Sequence, residues 1–136
     1  MAARWTAPAG RPAPGSAALR AAETETRQVI AHIVLYRPRP DVSPEGTRAL
    51  GEAVRRTCRD APSVRRLSVG RLVDVGAGYL GGFGETTFEY AAIIEFEDRA
   101  GLLQYLAHPA HAELSALFWK SCESTAILDS EEFDAV

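Results

Sequence analysis

With 136 residues, 46% of them hydrophobic, the chain is long enough for one domain with a real core, so neither disulfides nor a structural metal is required to hold it. A net charge of -3 lacks the basic excess that neutralising phosphates demands, which argues against nucleic acid as a partner. No apolar run approaches the ~20 residues of a membrane span, and the start of the chain has no apolar segment of the secretory kind, so a cytoplasmic protein without membrane contact is expected.

Residues 1–28 are rich in Ala, Pro and Gly, with scattered Arg and no acidic residue before Glu23. Such a stretch offers little apolar surface to offset the entropy of ordering, and a disordered tail is expected. An organelle transit leader is the alternative reading, but Pro8, Pro12 and Pro14 would interrupt the amphipathic helix that import needs. The folded domain is expected over residues 29–131, with an acidic tail over 132–136.

Val29 to Tyr36 (VIAHIVLY) is a β-branched run stopped by Arg37-Pro38-Arg39-Pro40, and it predicts a strand. Its alternate sets, Ile30, His32, Val34, Tyr36 and Val29, Ala31, Ile33, Leu35, leave no polar face, so both sides must be covered. Ser43-Pro44-Glu45 then supplies an N-cap with Pro at the first helical position. Ala49, Leu50, Ala53, Val54, Thr57 and Cys58 recur at helical spacing, opposite a charged face of Arg48, Glu52, Arg55 and Arg59.

Val64 to Val75 and Thr86 to Glu97 alternate as strands two and three, the latter through Phe88, Tyr90, Ala92, Ile94 and Phe96. The glycine-rich loop between them contains a literal GxGxxG at residues 76–81. A dinucleotide fingerprint needs a helix to begin inside its glycines, whereas more glycine and a strand follow, so a flexible hairpin loop that can shield a pocket mouth is expected instead. Asp98 caps a second helix through Leu102, Leu103, Tyr105 and Leu106, which Pro109 should kink or restart before Leu114, Leu117, Phe118 and Cys122. Thr125 to Leu128 reads as a short fourth strand. Cys58 and Cys122, without CxxC or Cys/His spacing and both among helical apolar positions, are read as buried free thiols of a reduced compartment.

This order predicts an α+β, ferredoxin-like βαββαβ protomer: a four-stranded antiparallel sheet with two helices on one face, because right-handed crossovers place both helices together. The opposite apolar face then has no cover from its own chain, and two sheets packed face to face as a homodimer would bury both. A small-molecule site is expected in the cavity between those sheets.

The segments HIVLYRPRP, SVGR, YAAIIEFED and YLAHPAH, in that order, make the chain similar to the stress-responsive dimeric α/β barrel (Dabb) family, over about Ile30 to Leu128. The resemblance implies a dimeric α+β barrel, usually without an assigned activity and in a few members a polyketide cyclase. In those cyclases a histidine at the position of His32 lines the pocket, and the counterpart of His111 abstracts a proton. The helix-one position that carries a tyrosine beside the basic histidine in cyclising members is Val54 here, which counts against transferring their mechanism.

His32 stands in the middle of an apolar strand and must be desolvated, so its ring needs a partner, whether as a general base or as a core histidine bonded to the second helix or across the dimer. In a helix starting at Pro109, His108 falls at the N-cap and His111 in the first turn, where the helix dipole favours a neutral imidazole. Tyr36, Tyr90 and Tyr105 are candidate donors to a developing enolate oxygen, or amphipathic core residues. Val34, Phe88 and Ile94 share the presumed pocket lining. The HxxH of His108 and His111 straddles a proline with no carboxylate at ligand spacing, so no metal and no cofactor is expected. Three functions follow as expectations: a barrel binding a small apolar or aromatic ligand without chemistry, a cyclase using an aldol-type step with a histidine base, and, by fold analogy alone, a cofactor-free monooxygenase.

Overall fold

The computed structural model describes residues 28–78 and 88–133. The expectations for the first 27 residues, for most of the glycine-rich loop and for the last three residues lie outside that range. Elements run β1 (Ile30–Pro38), α1 (Pro44–Asp60), β2 (Val64–Arg71), β3 (Tyr90–Phe96), α2 (Arg99–Ala107), α3 (Pro109–Ser121) and β4 (Cys122–Glu131). The four strands form one antiparallel sheet in the order β2-β3-β1-β4, as two interleaved strand-helix-strand units require.

Local chemistry sets the ends of the helices. The Ser43 hydroxyl accepts from the Gly46 amide ahead of Pro44, and the Asp98 carboxylate accepts from the Gly101 amide. Pro109 does more than kink the second helix: the residue before a proline is driven out of the helical region, and His108 is extended at ψ 138°. Among the described residues there are therefore three helices, the expected second helix being restarted at Pro109. His108 ends α2 and caps α3, its Nδ1 accepting from the Ala110 amide at 3.1 Å.

Several strand limits differ from expectation: β1 runs on through Pro38, and β3 begins at Tyr90. β2 stops at Arg71 instead of Val75, because the Asp74 carboxylate accepts from the Gly76 amide and turns the chain, with Gly76 at φ 84°. β3 ends at Phe96, since Glu97 and Asp98 lead into the cap of α2. β4 is much longer than the apolar tetrapeptide Thr125 to Leu128. It pairs with β1 along its whole length and is tied at both ends, by Arg37 to Glu123 at 3.0 Å and by the two-pronged Arg99 to Glu131 contact at 2.7 and 3.0 Å. Cys122 accordingly opens β4 rather than closing a helix, although both thiols are free and buried as expected.

The strand registers align Ile30 with Phe96, His32 with Ile94, Val34 with Ala92 and Tyr36 with Tyr90, all on the face that the helices cover. Phe96, Ile94 and Ala92 pack with Val54, Cys58, Leu102 and Tyr105 into the main core. A fully buried side chain such as Phe96 contributes roughly 1.5–3 kcal/mol. The alternate positions Ile33, Leu35, Ile93 and Leu128 form the opposite face, and Ile93 and Leu128 are 37% and 54% exposed. No described element of the chain covers them.

Candidate functional site

Between the sheet and α3 lies a cavity of about 460 Å³, within the range typical of small-molecule sites. Its polar groups are few: His32, Thr125 and Asp129 on the sheet side, Tyr105 on α2, and His111 and Ser115 on α3. Val34, Ile94, Val54, Leu114 and Phe118 supply apolar walls, and Ile127 and Trp119 stand exposed at its edge. The expected site lay between two paired sheets; this cavity lies on the other side of the sheet. Both faces of β1 are apolar, and the set carrying His32 is turned toward the protomer's own helices, so the cavity lies within the protomer.

His32 is only 4% exposed, and its partner is neither on the second helix nor across a dimer. β4 is β1's neighbour with Asp129 directly opposite His32, and the two side chains meet at 2.5 Å between Nδ1 and Oδ1. A carboxylate only accepts, so Nδ1 carries the proton and donates, which leaves the Nε2 lone pair free as a base. Asp129 is half-exposed and thus fixes tautomer and ring orientation without needing to be desolvated itself. Sequence reasoning missed it because it follows the apolar tetrapeptide; the available signal was the alternation Thr125, Ile127, Asp129, which continues one strand face.

His111 sits in the first turn of α3, where the restart at Pro109 places it. The Tyr105 ring stands between the two histidines, edge-on to His32 at 5.9 Å and to His111 at 5.0 Å. Burial first, and repulsion from the His32 ring whenever that ring is protonated second, hold the His111 pKa below its ordinary value, so this imidazole is neutral near pH 7. Tyr105 is 1% exposed, and burial together with the Cys58 thiol it hydrogen-bonds pushes its pKa well up. Its hydroxyl is thereby engaged toward α1, and Val54 contributes no hydroxyl.

Of the residues singled out from the sequence, His32, His111, Val34, Ile94 and Tyr105 converge on this cavity. Tyr36 and Tyr90 do not. They stack on one another, centroids 5.4 Å apart, and line a second hollow beyond the N-terminal half of α1. His32 and Tyr36 share a strand face but are four residues, or about 13 Å, apart along it. Phe88 precedes β3 and lines neither hollow. Among the described residues no cluster of His, Cys, Asp or Glu is arranged to hold a metal ion, and no helix is long and apolar enough to cross a membrane.

A family model described as the stress responsive A/B barrel domain, Dabb, matches residues 30–132. The search of curated proteins gave no match. Among solved structures, a hydroxynitrile lyase from Passiflora edulis is similar at TM-score 0.68 and 19% identity, covering 81% of this chain and 98% of its own. A Dabb family protein from Mesorhizobium loti with a ferredoxin-like fold follows at 0.64 and 15%, covering 79% and 100%. A dimeric ferredoxin-like protein from Thermobifida fusca, of unknown function, gives 0.62 and 18%, covering 76% and 91%.

Proposed function

Since the chain belongs to the stress responsive A/B barrel domain (Dabb) family, we propose that it acts as a homodimer, joined through the bare sheet faces, whose protomers each bind a small apolar or aromatic carbonyl compound in the helix-side cavity and move a proton on it. The observation that carries this reading is the His32–Asp129 pair facing an apolar hollow. Nε2 of His32 takes a proton from a carbon flanked by carbonyls, and Asp129 steadies the imidazolium that forms. His111, held neutral, donates or accepts a hydrogen bond at the carbonyl oxygen where charge develops. Such a set serves aldol-type bond making, as in a cyclase, or its reverse; the hydroxynitrile lyase of similar fold supports looking for lyase chemistry as well.

A second reading, ligand binding without turnover, is favoured by Val54 and by the engagement of the Tyr105 hydroxyl with Cys58. Neither residue offers the cavity a phenol for an enolate. Incubating the protein with poly-β-ketone analogues and with aromatic cyanohydrins separates the two. Turnover that falls at least a hundredfold in both His32→Ala and His111→Ala supports the enzyme, whereas binding without turnover supports the carrier.

A further inference from the structure

The second hollow has a composition that the proposed reaction leaves unused. It encloses about 850 Å³ between the N-terminal half of α1 and the ends of β1 and β2. Five of its lining residues are arginines against two glutamates, Glu52 and Glu89, on a chain whose net charge is -3.

The arginines arrive from separate elements. Arg48 and Arg55 lie two turns apart on one stripe of α1 with Glu52 between them, and α1 begins at Pro44 on the same rim, so its positive end adds to the field. Arg71 closes β2 directly opposite Tyr90, which pairs with Tyr36, so the three form one cross-strand row facing α1. Arg37 near the end of β1 and Arg39 just beyond it follow, Arg37 bound to Glu123 and Arg39 donating to the Lys120 carbonyl. Those two are held in place. Arg48, Arg55 and Arg71 make no ion pair with a described residue although Glu52 and Glu89 line the same hollow.

Guanidiniums gathered around one hollow repel one another, and an anion among them removes that repulsion while accepting paired N–H bonds from planar forks. The floor is rigid. Tyr36 is 1% exposed and is clamped between Tyr90 and Phe118, the latter ring 4.8 Å away and itself a wall of the histidine cavity. We propose that this arginine-lined hollow is a second ligand site, separate from the histidine cavity, that takes a small molecule bearing two or more anionic groups, phosphate or carboxylate. Tyr36 and Phe118 form the wall between the two sites.

Titration calorimetry of the full chain with pyrophosphate, and separately with citrate, at 50 mM and 200 mM salt tests this. Saturable binding that weakens with salt is expected, with roughly tenfold loss for Arg48→Ala and again for Arg71→Ala, the scale of one charge-assisted hydrogen bond. Arg59→Ala removes an exposed charge on α1 that does not line the hollow and should leave affinity unchanged, as should His32→Ala. Pyrophosphate alone binding assigns a phosphate ligand, citrate alone a carboxylate, and both a site for either; each agrees with the proposal. Absence of binding by both probes at millimolar concentration would overturn it, as would Arg59→Ala weakening binding as much as Arg48→Ala. The three arginine variants are at exposed positions, and unchanged melting temperatures confirm that their fold is intact.

Discussion

Replacing Asp129 by alanine leaves a buried imidazole with a donor and no acceptor. His32 is 4% exposed, and most of its described neighbours in the cavity are apolar or aromatic, so water reaches Nδ1 chiefly through the gap the carboxylate vacates. An unsatisfied buried donor costs about 1–3 kcal/mol, and the half-exposed position of Asp129 argues for the lower half of that range. For a domain of ~100 residues, about 1–2 kcal/mol corresponds to a melting temperature lower by roughly 4–15 °C. Asp129→Asn keeps an oxygen that accepts from Nδ1 and should recover most of this loss, though not the stabilisation of a protonated ring. Differential scanning calorimetry of the three proteins measures the stability, and nitrogen-15 spectra of labelled histidine report the tautomer, with the proton on Nδ1 in the wild type and a mixture in Asp129→Ala. An Asp129→Ala protein that melts with the wild type and keeps the same tautomer would refute the pairing as the reason His32 is tolerated in the core.

Other consequences are open to equally direct checks. Because the folded-state pKa of His111 lies below its ordinary 6.5, the unfolded chain takes up protons first as the pH falls; the stability that neutral His111 confers is present above about 6.5 and lost below it, so the urea midpoint should drop less between pH 7 and 5 in His111→Asn than in the wild type. An identical drop in both would count against the half-buried position of this ring. Burial pushes both thiols up to about 11, which at pH 8 leaves only about 0.1% thiolate, so iodoacetamide should label neither cysteine of the native protein within minutes and both after unfolding. Rapid native labelling would contradict it. On the bare sheet face, Ile33→Lys should convert the dimer to a monomer in sedimentation at micromolar concentration without touching the histidine cavity; a wild-type protein already monomeric there would remove the homodimer.

The parts of this molecule legible in its sequence are those that local chemistry decides. Ser43-Pro44, Asp98 and the His108-Pro109 step mark helix starts because caps and proline act within a turn, while a β-branched run locates β1 and period-two alternation β3. What escaped are relations set by pairing. Asp129 belongs to a strand held by its neighbour rather than by its own hydrophobicity, so the apolar tetrapeptide understated β4 by more than half its length. The side of the sheet on which the cavity opens was equally hidden, because a strand apolar on both faces gives no sign of which set meets the helices. Tyr36 and Tyr105 looked like members of one set and proved to line different hollows.

The claim on which the account depends is that ligands enter the helix-side cavity beside His32. Adding an aromatic ketone such as 2,4-dihydroxyacetophenone to isotope-labelled protein and following its spectra tests that claim most directly. Shifts should concentrate on the ring nitrogens of His32 and His111, the Ile127 methyl groups and the Trp119 indole. Shifts confined to Ile33, Leu35, Ile93 and Leu128 on the opposite sheet face, with the histidines unmoved, would contradict it.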